Sequence, residues 1–107
     1  MTALTDFDAD ALSRGIAARE FSCRELMDAT LARIARVNPR HNAIVSLRDP
    51  DELMREAGER DAELARGERR GWLHGLPQAV KDMAATRGLR TTLGSPLMRD
   101  YVPPHDD

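Results

Sequence analysis

The feature that most constrains the fold is a helix signal at residues 22–38. Ser22 and Glu25 have the spacing of a capping box, in which the serine hydroxyl accepts from the glutamate amide and the glutamate carboxylate reaches back to the serine amide. Pro39 disfavours helical geometry in the residue before it, so we expect the helix to end near Asn38. Apolar residues recur along it at steps of three and four, on one face: Met27, Leu31, Ile34 and Val37.

Two further helices are predicted on either side of this one. The first covers residues 8–19, with Asp8 as its N-cap. The other begins at Asp49 and Pro50, because aspartate is a good cap and proline suits the first helical turn. It runs to the residue before Gly67 and is mostly charged, so we expect it on the outside of the protein.

Beyond residue 70 the composition changes from charged, helix-forming residues to glycine, proline and threonine. β-branched or apolar runs predict short strands at residues 42–47 and 76–80, and residues 89–93 could also be extended. A turn at residues 94–96 leads into a short helix through Arg99. Strands separated by helices favour a parallel or mixed sheet, which needs more strands than the two or three present here.

The predicted fold class is therefore α/β. N-terminal helices and one short strand occupy residues 1–70, and the start of a sheet-based core, with the strand that precedes Lys81, occupies residues 71–107. That core is incomplete in this chain.

Composition excludes several classes of function. The 107 residues carry a formal net charge of −2, with acids and bases interleaved, so we expect no nucleic-acid surface. We find neither a membrane-spanning apolar stretch nor a signal-peptide pattern, so we expect a cytoplasmic protein. The single cysteine, Cys23, agrees with that location because it has no partner for an internal disulfide.

Lys81 is the one lysine among 16 basic residues, and the other 15 are arginines. Arginine keeps its proton in proteins, whereas a desolvated lysine can release it. The ordinary explanation of Lys81 is a solvated amine at a strand end, and coding bias alone could leave one lysine. The functional explanation is a general base at the carboxyl end of a sheet strand, where it could take a proton from a serine.

The other chemically capable residues are better explained by structural roles: His41, His74, His105, Cys23, Asp82 and Ser95. The histidines are too far apart in sequence for a local metal motif, so we expect no metal site. Cys23 lies in the first turn of a predicted helix, where the dipole could activate it, but inert packing is favoured. We expect Asp82 either to orient Lys81 or to cap a turn, and we favour a structural role.

The segment 73–82, Leu-His-Gly-Leu-Pro-Gln-Ala-Val-Lys-Asp, resembles the amidase signature family. Gly88, the threonine pair 91–92 and the Gly-Ser pair 94–95 continue the resemblance. It extends over nearly the whole chain, including the order of the predicted helices and the tail 100–103, but its specific part is residues 73–95.

The resemblance implies an amide or related C–N hydrolase with an α/β/α core around a twisted mixed sheet. It implies a catalytic set of a serine, a second serine preceded by a cis peptide bond, and a lysine. The base role in that set carries over to Lys81, which would act through the bridging serine in an acyl-enzyme route. No metal or organic cofactor is implied.

One departure from the family pattern is decisive. The Gly/Ser-rich signature that supplies both serines and the oxyanion-hole amides is not found in residues 83–107, and Ser95 alone does not replace it. We therefore expect a front portion of an amidase that needs the remainder of such a chain and is inactive alone.

The substrate implied by the resemblance is a small-molecule amide. The family's transamidating subunits tend to differ after the lysine from Thr-Thr-Leu-Gly-Ser-Pro, which favours a stand-alone amidase; a homo-oligomer is left open. The alternative function is a small non-enzymatic interaction module, in which helices 8–19 and 22–38 pair and present a surface to a partner.

Overall fold

A computed structural model describes residues 3–107. This part of the chain contains three α-helices, two short 3₁₀ helices and no β-strand. The α-helices are α1 (Ala9–Ala17), α2 (Cys23–His41) and α3 (Pro50–Ala65), and the 3₁₀ helices are Leu4–Asp6 and Pro96–Met98. Within the described residues, no helix combines the length and the apolar character that a membrane crossing requires.

The chain divides into two compact units. The first unit contains the residues up to His41 together with Asp49–Pro77, and the second contains Asn42–Arg48 together with Gln78–Asp107. All three α-helices belong to the first unit, and Lys81 belongs to the second. The division into regions 1–70 and 71–107 stays a prediction about domain organisation.

The capping box at the start of α2 is confirmed. The Glu25 amide donates to Ser22 Oγ at 2.9 Å, and the Ser22 amide donates to Glu25 Oε1 at 3.1 Å. A long-range cap adds to it, because the Cys23 and Arg24 amides donate to the two carboxylate oxygens of Asp61 on α3, at 2.7 and 3.1 Å. Four amide donors at this helix end are thereby satisfied, and two of them bind α2 to α3.

The predicted starts of α1 and α3 are also confirmed. Asp8 accepts from the Ala11 amide at 2.8 Å, and Asp49 accepts from the Asp51 amide at 3.0 Å. α3 ends at Ala65, two residues before Gly67. These caps form between residues two or three positions apart, which is why the sequence alone predicts them.

The predicted end of α2 at Asn38 is wrong, since the helix continues through Pro39 to His41. Proline lacks the amide that would bond to the carbonyl four residues earlier, and its ring crowds that carbonyl. Here both effects fall in the last turn of α2, two residues before its end. The helix ends instead where Asn42 adopts a positive φ of 48°. Asparagine is one of the few residues that tolerate this left-handed conformation at a helix terminus.

The described residues do not form the strands predicted at 42–47, 76–80 and 89–93. An isolated extended segment leaves its amide and carbonyl groups without a ladder, so strand formation depends on a neighbouring strand. In the second unit, hydrogen bonds between turns take the place of a sheet. The Thr91 amide donates to the Tyr101 carbonyl at 2.9 Å, and the Gly88 amide donates to the Pro103 carbonyl at 3.1 Å.

The core of the first unit is small and lies where its three α-helices meet. Its buried apolar residues are Ile16, Cys23, Leu26 and Ala57. The apolar stripe predicted on α2 is only partly covered, because Ile34 and Val37 stay half-buried. With Leu12, Leu26 and Pro77 they line an open groove of about 350 Å³.

Gly75 packs tightly against Cys23 in this core. A Cβ atom at Gly75 would overlap Cys23 Sγ and would lie 3.4 Å from Ile16 Cδ1. Gly75 also has a φ of +79°, which L side chains rarely adopt. The turn therefore requires a residue without a side chain for two separate reasons.

Gly75→Ala is expected to destabilise the first unit much more than Gly67→Ala. Gly67 has nearly the same φ, +78°, but nothing lies within 4 Å of its Cβ position. Both changes should cost about 1–2 kcal/mol for the left-handed conformation, and Gly75→Ala should add about 1–3 kcal/mol of overpacking. Thermal unfolding of the two variants measures the difference. Equal losses would show that Cys23 does not restrict this turn, and Cys23→Ala combined with Gly75→Ala should recover part of the excess.

Candidate functional site

Lys81 lies at the first position of a turn in the second unit. Its carbonyl oxygen accepts from the Ala84 amide at 3.0 Å. The side chain is exposed, and within residues 3–107 it makes no hydrogen bond or ion pair. Two apolar neighbours in sequence, Val80 and Met83, are 57% and 63% exposed. The backbone of Lys81 is therefore fixed, while its amine is free to meet other groups.

The residue after it, Asp82, makes three hydrogen bonds to residues 92–93. Its Oδ1 accepts from the Thr92 amide at 2.7 Å, and its Oδ2 accepts from the Thr92 hydroxyl. Its carbonyl oxygen accepts from the Leu93 amide at 3.0 Å. The hydrogen bonds from Thr92 hold the pKa of Asp82 below its usual range, so the carboxylate stays ionised. Asp82 closes a loop, which is the structural role that the sequence favoured.

Arg90 provides a second closure in the same unit. Its guanidinium donates to the Arg99 carbonyl at 3.2 Å and to the Val45 carbonyl at 3.1 Å. The segment Asn42–Arg48 is thereby bound to the part of the chain that follows Lys81. Sequence reasoning missed this residue, because nothing in a local pattern marks an arginine that reaches 45 positions back along the chain.

The second unit exposes most of its large apolar side chains. Leu97 is 93% exposed, and the others are between 46% and 63% exposed. They are Val45, Leu47, Val80, Met83, Leu93 and Val102. Val80 and Met83, close to Lys81 in sequence, are among them. The second unit therefore leaves exposed several side chains of the type that a core normally buries.

His74 in the first unit is fully occupied by structural contacts. Its Nδ1 accepts from the Arg70 amide at 3.1 Å, and its Nε2 lies 2.9 Å from the Arg60 carbonyl. This arrangement fits the neutral ring with the proton on Nε2. The nearby Glu63 pairs with Arg70 at 2.8 Å and with Arg60 at 3.0 Å, and the hydrogen bonds from Arg70 lower its pKa. This network joins the end of α3 to the turn at His74, and Glu63 was missed by sequence reasoning.

The remaining candidates are Ser95, which has a structural role, and two exposed histidines. Ser95 caps the second 3₁₀ helix by accepting from the Leu97 amide at 3.2 Å. His41 and His105 are exposed. No three or more histidine, cysteine, aspartate or glutamate side chains among residues 3–107 are placed to hold a metal ion.

Comparison with known proteins decides the family. The family model described as Amidase matches residues 25–107, which include Lys81, Asp82 and Thr92. The chain belongs to the amidase family. The resemblance carried by residues 73–95 is confirmed, and the match includes residues of both compact units.

Among its relatives is a glutamyl-tRNA(Gln) amidotransferase subunit from Granulibacter bethesdensis, 43% identical over 106 residues, or 99% of this chain and 21% of that protein. The corresponding protein from Acidothermus cellulolyticus, which has the same name, is 45% identical over 95 residues, 89% of this chain and 19% of that one. The crystal structure of PAM12A superposes with a TM-score of 0.81 at 37% identity, over 92% of this chain and 20% of that one. This amidase-family chain thus spans about a fifth of the length of these relatives.

Cys23 is expected to be unreactive in the folded protein. Burial raises the pKa of its thiol to about 12 from an ordinary 9.0, which lowers the thiolate fraction at pH 8 by about a thousandfold. Alkylation with iodoacetamide at pH 8 should therefore be slow for the folded protein and fast in denaturing urea. Since the chain has one cysteine, any label reports on this site, and Cys23→Ser serves as the blank. Equal rates in both conditions would contradict the burial.

The same shift has a pH consequence with a defined sign. Because the folded thiol holds its proton more tightly than the unfolded one, its contribution to stability is complete below about pH 9 and is lost as the pH rises toward 12.

Proposed function

We propose that this chain supplies the general-base lysine of an amide hydrolase, and that Lys81 is that base. The observation that carries the proposal is the amidase family match, which includes the segment Leu73–Asp82 with the one lysine of the chain. The exposed and unpaired side chain of Lys81 supports it, since a base that serves groups from elsewhere must be free to reach them.

The proposed reaction is hydrolysis of a carboxylic amide through an acyl-enzyme. The Lys81 amine takes a proton from a bridging serine, which takes the proton of the nucleophilic serine. The serine oxygen bonds to the amide carbonyl carbon, the C–N bond breaks, and the proton returns to the leaving amine. Water then attacks the ester and releases the acid. Both serines and the oxyanion donors come from the remainder of the amidase, so these 107 residues alone are proposed to be inactive.

Two structural features support the remainder of the amidase chain as the partner. In the second unit most of the large apolar side chains are exposed, among them Val45 and Val102. In the first unit the groove lined by Ile34, Val37 and Pro77 is open. We propose that the sheet-based core of the intact amidase covers these surfaces. Residues 42–47 and 76–80 would then pair with strands of that core, which gives the α/β fold predicted from the sequence.

The proposed substrates are small molecules with a primary carboxamide. A second candidate follows from the relatives, which are named as subunits of a glutamyl-tRNA(Gln) amidotransferase. In that case the intact protein would deliver the released ammonia to an acceptor on a partner and would need the partner for full turnover. The two candidate functions can be distinguished by measuring ammonia release from glutamine and from simple carboxamides, with and without partner proteins.

The rival function, a helical interaction module, is not favoured. The family match continues to residue 107, through the whole second unit, where the described residues form no α-helix. A module built only from helices 8–19 and 22–38 gives no reason for that match.

Lys81→Ala and Lys81→Arg are both expected to abolish nearly all turnover of the intact amidase, because loss of a general base typically costs about 10²–10⁴-fold in rate. Arginine keeps the charge but does not accept a proton. Ammonia release from a panel of carboxamides measures the effect, and circular dichroism checks folding. Arg87→Ala is the matched control, since it removes an exposed cation six residues away. Near-normal activity in either lysine variant would refute the base assignment.

A further inference from the structure

We propose that Asp82 is a positioning residue for Lys81 and that it acts through Thr92. The inference rests on the proposed role of Lys81 and adds a second pair of residues to that function. Asp82 does not need to touch the substrate. Its role is to fix the backbone from which the lysine side chain extends.

The geometry behind this role is a double hydrogen bond across a ten-residue loop. One carboxylate oxygen of Asp82 holds the Thr92 amide, and the other holds the Thr92 hydroxyl. The Asp82 carbonyl also accepts from the Leu93 amide at 3.0 Å. Three hydrogen bonds thus join residue 82 to residues 92–93, and two of them depend on the Asp82 side chain.

The same region fixes Lys81 from the other side. The Lys81 carbonyl accepts from the Ala84 amide at 3.0 Å, so the turn that begins at the lysine is closed. A lysine side chain has several rotatable bonds, and ordering it costs entropy. Holding its backbone at both residues 81 and 82 reduces the number of positions that the amine can occupy. A misplacement of about 1 Å can cost about a hundredfold in rate.

The chemistry of the pair indicates why these two residue types are present. Asp82 is half-buried, and Arg90 adds to the preference for its ionised form. Hydrogen bonds to a carboxylate are stronger than those between neutral groups. Asparagine at position 82 could still accept from the Thr92 amide and donate to its hydroxyl. Serine at position 92 keeps the hydroxyl, whereas valine removes it at nearly the same volume.

A purely structural role would give a different result from a positioning role. If Asp82 only stabilises its loop, removing it lowers the melting temperature but leaves the rate per folded enzyme unchanged. If it positions Lys81, kcat falls while KM stays nearly constant, because substrate binding does not depend on the lysine amine. The conservative variants then restore kcat.

The test compares five variants in the intact amidase: Asp82→Ala, Asp82→Asn, Thr92→Val, Thr92→Ser and the control Thr86→Val. We expect kcat to fall roughly 10–100-fold in Asp82→Ala, with KM within about twofold, and to fall less in Thr92→Val. Asp82→Asn and Thr92→Ser should recover most of the rate, and Thr86→Val should match the parent. The double variant Asp82→Ala with Thr92→Val should be no slower than Asp82→Ala alone, because both remove the same contact.

A normal kcat in Asp82→Ala with only a lowered melting temperature would overturn the inference. If Asp82→Ala does not fold, equal kcat values for Thr92→Val and Thr92→Ser would overturn it instead. Lys81→Ala, measured in parallel, distinguishes failure of the positioning role of Asp82 from failure of the base role of Lys81. An inactive Lys81→Ala with a fully active Asp82→Ala refutes the positioning role alone, whereas an active Lys81→Ala refutes the proposed function.

Discussion

The structure of the first unit depends on the burial of Cys23 at the N-terminus of α2. Its amide is held by Asp61 of α3, and its side chain packs against Gly75 within the apolar cluster that also contains Ile16. Two other helices and the turn at residues 71–77 therefore meet at one residue. Because Cys23 has no exposed surface, the carboxylate cap beside it is shielded from competing water on one side. A hydrogen bond to an ionised acceptor is worth more in such surroundings.

The contacts that the sequence could predict are those between residues close in the chain. The Ser22–Glu25 capping box and the caps at Asp8 and Asp49 were predicted and are present. The Asp61 cap and the Glu63–Arg70 pair were not predicted, since their partners are set by how helices pack and not by spacing. The prediction of strands was wrong for a related reason. Extended residues need hydrogen-bond partners on a neighbouring strand, and the described residues provide none.

In the candidate site, too, some features could be predicted from the sequence and others could not. Lys81 could be singled out because its amine differs chemically from the 15 arginines, and the motif around it gave the family. That Asp82 orients Lys81 or caps a turn could be argued from its position in the sequence. That Thr92 is its partner could not, since Thr91 and Thr92 are adjacent and chemically identical. The structure separates them: Thr92 binds Asp82, whereas the Thr91 hydroxyl donates to the Leu89 carbonyl at 3.1 Å.

The two units differ in how far they bury their apolar side chains and pair their polar ones. This difference bears on function. The first unit buries Cys23, Leu26 and Ile16 and occupies both nitrogens of His74. The second unit fixes its backbone with Asp82 and Arg90 but leaves most of its large apolar side chains, and the Lys81 amine, exposed. An amine in water holds its proton more firmly than one in apolar surroundings. If Lys81 is a base, the groups that cover Val80, Met83 and Leu93 in the intact amidase must also create the dry environment that the base requires. Completion of the core and activation of the lysine would then be the same event.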